Sequence, residues 1–150
     1  AGVDYSTVFK KMPAQVYVEW SDTRSNGEAN GYSYNHHNYK DGFYQHGFPL
    51  AHAIGGDGQM VSMGGQMLID PMNRISGRVL MADLNQSSLA INQAFPQADE
   101  IVALDVTWTH YLNKEVPLKI NGWILDSDRQ GQDAGASIGI ELPLTKGMFR

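Results

Sequence analysis

The chain has 150 residues, 18% of them charged, and a net charge of −5 at pH 7. This acidic balance disfavours nucleic acid as a partner, because neutralising phosphates requires a basic surface. Cysteine is absent, which excludes disulfides, thiolate metal sites and a cysteine nucleophile. No apolar run approaches the roughly 20 residues of a membrane-spanning helix, but strands that alternate apolar and polar residues cross membranes without raising bulk hydropathy.

The first clear strand pattern in the chain follows Pro13. Val16, Val18 and Trp20 share one parity and alternate with a more polar set, as in a strand with one apolar face. The preceding residues 4–11 fit no element clearly.

A long segment rich in Gly, Asn, Tyr and His occupies residues 22–57. It is too long for a simple packing connection, which indicates a functional or flexible segment. Within it, residues 48–54 followed by Gly55 and Gly56 predict one short helical turn with a glycine stop.

Two more strands are predicted at residues 59–70 and 74–84, joined by a tight turn at 71–73. Their alternation is imperfect, because four apolar residues fall on the otherwise polar parity: Met60, Leu68, Leu80 and Ala82. The connection that follows, residues 85–99, includes a brief predicted helix at 87–95.

The clearest pattern is a hairpin over residues 100–127, two runs of about twelve residues joined at 113–115. Pro117 lies at the start of the second run, where losing one ladder hydrogen bond is tolerated. Such runs exceed the usual five or six residues of soluble strands and approach what a tilted strand needs to cross a bilayer. A loop at 128–133 and a strand at 134–142 follow.

The two ends of the chain suggest a piece of a longer protein. It begins at Ala1 rather than Met, and after a turn at 145–147 its last three residues look like the start of another strand. We therefore expect residues 1–150 to form one partial domain.

The connections alternate in length: long at 22–57, short at 71–73, longer at 85–99, short at 113–115, longer at 128–133 and short at 145–147. In an up-and-down meander, alternate connections lie at opposite ends of the sheet, as in outer-membrane barrels with short turns on one side and longer loops on the other. The pattern predicts an all-β fold, an antiparallel up-and-down meander that is part of a larger transmembrane outer-membrane β-barrel.

The three tryptophans agree in part with a barrel. Trp20 and Trp108 fall on the apolar parity, toward opposite ends of their strands, as the aromatic girdles of such barrels require. Trp123 falls on the polar parity. The alternative is that all three are core residues of a soluble sheet.

The long segment concentrates side chains that suit carbohydrate, since aromatic rings stack on sugars and hydroxyl, amide and imidazole groups bind sugar hydroxyls. The candidates there are Tyr32, Tyr34, His36, His37, Tyr39, Lys40, Tyr44 and His46. A plain solvated loop has a similar composition, so both interpretations stay open. The histidines match no recognised metal-ligand spacing, and we expect neither a metal nor a cofactor.

The polar strand faces add charged residues. Arg78 and Lys119 are nominated by their parity as candidate binding residues that face the barrel interior. Glu19, Asp105 and Glu141 offer carboxylates, and a carboxylate pair at the right separation hydrolyses glycosides. Nothing in the sequence sets that separation, and mixed charges are expected inside a barrel without catalysis. Because no nucleophile elbow, Walker A loop or dinucleotide fingerprint is present, we expect no enzyme.

Several segments together resemble the capsule assembly Wzi family of bacterial outer-membrane proteins: GVDYS, AQVYVEW, NYKDGFYQHGFPLAHAIGGDGQMVSMGGQ, LDVTWTHYL and DAGASIGIELPL. The resemblance runs through most of the chain and implies a large antiparallel barrel in the bacterial outer membrane. It also implies a lectin-like role in attaching capsular polysaccharide to the cell surface, with that polysaccharide and outer-membrane lipid as partners. The alternatives are an outer-membrane hydrolase of glycan or lipid, or a pore for small solutes.

Overall fold

The computed structural model describes residues 1–24, 34–35, 38, 42–88 and 92–142. These residues form nine strands: β1 (Gly2–Phe9), β2 (Met12–Asp22), β3 (Tyr44–Gln45), β4 (Phe48–Pro49), β5 (Gln59–Asp70), β6 (Asn73–Leu84), β7 (Asp99–Asn113), β8 (Val116–Ser127) and β9 (Gly131–Ile140). The described residues include no helix that is long and apolar enough to span a membrane.

Seven of these strands form one antiparallel sheet in the order β1-β2-β5-β6-β7-β8-β9. Each pairs with its neighbours along the chain, while β3 and β4 pair separately within the long connection. The predicted all-β, antiparallel, up-and-down arrangement is therefore confirmed. Within the described residues the sheet is open, with β1 at one edge and β9 at the other, so these strands do not close a barrel.

The segment that the sequence left unassigned is β1, which pairs with β2 along its whole length. Lys10 and Lys11 connect the two strands with positive φ values of 48° and 71°, as a type I′ turn requires. Such positions usually hold Asn, Asp or Gly, because other side chains are strained there. Two lysines give no turn signal, which is why this hairpin escapes a sequence-based prediction.

The predicted short turns at the β5–β6 and β7–β8 junctions are confirmed, but the predicted longer loop at 128–133 is wrong, because β9 already begins at Gly131. Ser127 organises the tight turn that replaces it. Its Oγ accepts hydrogen bonds from the backbone N–H of Arg129 at 3.2 Å and of Gln130 at 3.0 Å. Gly131 supplies a positive φ of 76°, which costs glycine little.

The helical turn predicted within residues 48–54 is wrong. Phe48 and Pro49 instead form β4, which pairs with β3. The turn between them consists of His46 and Gly47, both with positive φ, so the chain folds back as a hairpin.

The brief helix predicted at 87–95 does not form in the described part of that segment, and residues 89–91 lie outside it. Asn92 explains the difference. Its Oδ1 accepts hydrogen bonds from the backbone N–H of Ala94 at 3.2 Å and of Phe95 at 3.0 Å. A side chain that occupies backbone donors in this way competes with helix formation.

The sheet has one apolar face, because directly paired residues share a face and the apolar parities of all seven strands coincide. This face includes Val3, Val16, Val18, Trp20, Met63, Val79, Leu104, Trp108, Ile120 and Ile138. Val16, Leu104 and Ile138 are 50%, 42% and 72% exposed. Within the described structure, therefore, no second layer packs over the apolar face.

The opposite face is polar through most of its length but apolar at the end that carries the long connections. There Ile54 packs with Ala82 and Leu84 in a small core, to which Phe95 and Met60 also contribute. Ile54 and Phe95 come from the two long connections, so both connections fold over this face of the sheet. The docked connections explain why Met60 and Ala82 break the polar parity.

A buried polar network fastens the long connection to its neighbour. The Tyr44 hydroxyl accepts a hydrogen bond from the Gly56 N–H at 2.9 Å and donates to Asn92 Oδ1 at 3.2 Å. Asn92 Nδ2 donates a hydrogen bond to the Gly56 carbonyl at 2.6 Å. Burial raises the pKa of the Tyr44 hydroxyl above its ordinary value of 10.0. Stability from the protonated hydroxyl is thus present below pH 10.0 and lost as the pH rises through the folded pKa.

Tyr44→Phe leaves the buried Gly56 N–H without its acceptor, so we expect docking of the connection to weaken by about 1–3 kcal/mol. Hydrogen exchange of the full-length protein, followed by mass spectrometry of peptides covering residues 54–58, measures the effect as faster deuterium uptake. Tyr5→Phe makes the same change at an exposed tyrosine of the apolar face and should leave uptake unchanged. Equal uptake in the Tyr44→Phe and parent proteins would contradict this role.

Lys11→Gly should stabilise the β1–β2 hairpin by about 1 kcal/mol, because glycine adopts the positive φ of this position without strain. Urea unfolding of the full-length protein in lipid vesicles measures the gain. Lys114→Gly is the control, since Lys114 lies in the β7–β8 turn and is not among the residues with positive φ. A gain for Lys114→Gly equal to that for Lys11→Gly would count against the strain argument.

Candidate functional site

The polar face is organised in rows that run across the strands, because directly paired residues lie side by side. One row crosses all seven strands of the sheet: Asp4, Tyr17, Gly64, Arg78, Asp105, Trp123 and Gly135. It combines an acid, two aromatic rings, an ion pair and two glycines. This row, which we call the central row, is where the polar face carries its most varied chemistry.

Arg78 and Asp105 form the ion pair of the central row. Arg78 Nε lies 3.0 Å from Asp105 Oδ2, and the two side chains are 53% and 36% exposed. At such exposure an ion pair adds less than about 1 kcal/mol to stability. The pair keeps free hydrogen-bonding capacity that can serve a ligand, because a guanidinium has five N–H donors and a carboxylate has two oxygens.

The next row toward the short turns contains only neutral polar side chains: Ser6, Gln15, Gln66, Ser76, Thr107, Asn121 and Ser137. Gln66 Nε2 donates to Gln15 Oε1 at 3.0 Å, and Asn121 Nδ2 donates to Thr107 Oγ1 at 2.9 Å. Amides and hydroxyls both donate and accept hydrogen bonds. The row is therefore suited to a neutral ligand that is rich in hydroxyl groups.

Parts of the central row and of the neutral row, on β1, β2 and β5 to β7, line a groove of about 660 Å³. Its walls include Asp4, Gln15, Tyr17, Glu19 and Gln66, with the Arg78–Asp105 pair at one side. A second groove of about 500 Å³ lies nearer the short turns, beside Arg74, Thr109 and Lys119. In that groove Lys119 is ion-paired with Glu141. The two charged residues that the sequence nominated, Arg78 and Lys119, thus lie on the predicted face but in separate grooves.

The candidates from the long connection are placed differently. Tyr34 and Tyr44 are buried, 5% and 3% exposed, with ring centroids 5.6 Å apart. The Tyr34 hydroxyl accepts a hydrogen bond from the His52 N–H at 2.7 Å, so both tyrosines hold the connection together from within. His46 is exposed in the β3–β4 turn. The remaining candidates lie outside the described residues: Tyr32, His36, His37, Tyr39 and Lys40.

Several groove residues were not singled out from the sequence. Gln15, Tyr17 and Gln66 fall on the polar parity of predicted strands, and that parity is the signal that could have nominated them. What the sequence lacks is the register that sets Tyr17 beside Gly64 and Gln15 beside Gln66. The described residues contain no group of histidine and carboxylate side chains that could hold a metal ion.

Comparisons with known proteins agree with this architecture. The family described as capsule assembly protein Wzi matches residues 1–137. A protein of Klebsiella pneumoniae, described as an uncharacterized 55.8 kDa protein in the cps region, is 38% identical over 145 residues, which are 96% of this chain and 29% of that protein. The chain thus spans less than a third of this relative.

A solved structure is also similar, with 36% sequence identity and a TM-score of 0.81 over 96% of this chain and 33% of the other. That protein is Wzi of Escherichia coli, described as an outer-membrane protein involved in group 1 capsule assembly and as a carbohydrate-binding β-barrel. The chain described above therefore belongs to the capsule assembly protein Wzi family and forms part of an outer-membrane β-barrel.

Proposed function

We propose that this chain helps to attach capsular polysaccharide to the bacterial surface, as a section of a lectin-like outer-membrane barrel. The observation that carries the proposal is the groove of about 660 Å³ on the polar face, where amides, hydroxyls, an ion pair and Tyr17 meet. Sugar hydroxyls donate and accept hydrogen bonds, and the groove offers both kinds of partner. Membership of a family named for capsule assembly supplies the ligand class.

The apolar face supports the membrane part of the proposal. It extends across all seven strands with large exposed side chains, among them Trp20, 45% exposed, and Ile138, 72% exposed. Contiguous apolar surface of this kind is unfavourable in water. We propose that outer-membrane lipid covers it, which leaves the polar face and its groove inside the barrel.

We propose a binding protein rather than a hydrolase. Glycoside hydrolysis needs two carboxyl groups that face the scissile bond from either side. Asp105 is ion-paired with Arg78 and Glu141 with Lys119, so these two carboxylates orient hydrogen-bonding groups. Asp4 and Glu19 also line the larger groove, and they are the carboxylates on which the alternative of a hydrolase depends. The docked connections occupy the polar face at one end of the sheet, which supports an occupied barrel interior over an open pore.

The long connection remains a second proposed contact region for polysaccharide, through Tyr32, His36, His37, Tyr39, Lys40 and His46. For Tyr34 and Tyr44, a direct contact stays a prediction, while their burial supports an indirect role, holding the connection in shape.

Arg78→Ala and Lys119→Ala should each weaken binding of capsular polysaccharide, because each removes a charged donor from a groove. A charge-assisted hydrogen bond contributes about 1.5–3 kcal/mol, so we expect affinity to fall about ten-fold or more. The measurement compares cell-bound with released capsule in cells that make the full-length variants. Heat-modifiable gel mobility checks barrel assembly.

Lys114→Ala is the matched control for this experiment, since it removes a lysine from the β7–β8 turn rather than from a groove. It should retain capsule as the parent does. If assembled Arg78→Ala and Lys119→Ala proteins also retain capsule fully, the grooves are not the attachment site.

A further inference from the structure

Tyr17 occupies the space above a glycine of the neighbouring strand. It is directly paired with Gly64. A Cβ atom added to Gly64 would lie 2.6 Å from the Tyr17 Oη, 2.7 Å from its Cζ and 2.8 Å from its Cε1. The ring therefore leans from β2 over the backbone of β5, and any side chain at position 64 would displace it.

Trp123 repeats the arrangement at the other side of the sheet. Its direct partner is Gly135, where an added Cβ would lie 2.7 Å from the Trp123 Cζ2, 2.8 Å from its Cε2 and 2.9 Å from its Nε1. The indole leans from β8 over β9, in the same direction across the sheet as Tyr17. Both aromatic residues and both glycines belong to the central row.

The two rings flank the Arg78–Asp105 pair within this row. The strands that carry Gly64 and Gly135, β5 and β9, are separated by four strand spacings, or about 19 Å. Tyr17 lines the larger groove, and Trp123 is 40% exposed. Two accessible rings with hydrogen-bonding groups between them match an extended ligand whose apolar and polar surfaces alternate.

We infer that Tyr17 and Trp123 are two stacking subsites for sugar rings of one saccharide chain that crosses the strands, with Arg78 and Asp105 binding hydroxyls between them. This inference rests on the proposed function and specifies where on the polar face the saccharide lies. An aromatic ring presents an apolar surface to the C–H face of a pyranose. Because each ring already rests on glycine backbone, little side-chain freedom is lost when a sugar binds, which favours affinity.

The competing explanation is that each ring only shields the glycine backbone beneath it, a known way to stabilise sheets that contain glycine. The two explanations differ in one respect. Shielding affects barrel stability alone, whereas stacking affects saccharide affinity in barrels that remain assembled. Substituting the glycine tests the position of the ring without removing it, because Gly64→Ala retains Tyr17 but displaces its side chain.

The test uses the full-length protein in detergent micelles and oligosaccharides prepared from the capsular polysaccharide of the producing cells, with affinity measured by calorimetry. We expect Tyr17→Ala and Trp123→Ala to bind about ten-fold more weakly. Tyr17→Phe and Trp123→Phe retain a ring and should bind nearly as the parent does. Gly64→Ala and Gly135→Ala should weaken binding although both aromatic residues are present. Trp20→Ala, on the apolar face, is the control and should leave affinity unchanged.

The outcomes separate this inference from the proposed function. If Arg78→Ala weakens binding while assembled Tyr17→Ala, Trp123→Ala and Gly64→Ala proteins bind as the parent does, the stacking subsites are overturned and the lectin function stands. Lower heat resistance of the alanine variants with unchanged affinity would also overturn the inference in favour of shielding. If the parent protein itself binds no oligosaccharide, the proposed function fails, and the inference fails with it.

Discussion

The constraint on which the structure depends is the register of the seven-stranded sheet. Direct pairing continues through the membrane-length strands, with shifts only near the turns at Leu68/Asp70 and Tyr111/Asn113. Since side chains alternate along a strand, register decides that Val16, Met63 and Leu104 share one face and Tyr17, Arg78 and Asp105 the other. A slip of one residue at any junction would place charged side chains on the apolar face and leucine on the polar face. The apolar exterior and the polar groove are therefore one property of the fold.

The two long connections cover one end of the polar face and leave the rest of it uncovered. Near the long connections this face is apolar, because Ile54 and Phe95 of those connections pack against Ala82 and Leu84 of the sheet. Beyond that core it returns to charged and then neutral polar rows. The network of Tyr44, Gly56 and Asn92 joins the two docked connections to each other. Polar side chains are left uncovered, beside a groove, where docking ends.

Period-2 alternation made five strands predictable, because β2 and β5 to β8 each have one apolar face and one face that is polar through most of its length. β1 was not predicted, because the two lysines of its turn give no turn signal. The start of β9 was predicted too late, because the hydrogen bonds of Ser127 make the preceding turn shorter than expected. Arg78 and Lys119 were assigned to the right face by parity alone. The burial of Tyr34 and Tyr44 was not predictable, since loop composition does not encode which tyrosine turns inward. Pairs such as Tyr17 with Gly64 require a register that no local pattern specifies.

The same residue pairs also bear on how neighbouring strands are aligned. Tight turns set the register of β1–β2, β5–β6, β7–β8 and β8–β9, but residues 23–58 and 85–98 are too long to align the strands they join. At those two junctions the polar face supplies matched partners: Tyr17 over Gly64 and Gln15 with Gln66 for the first, Arg78 with Asp105 for the second. Residues of the proposed binding face thus also match neighbouring strands to each other. A substitution at one of these positions therefore alters the chemistry of the polar face and the pairing of two strands at the same time.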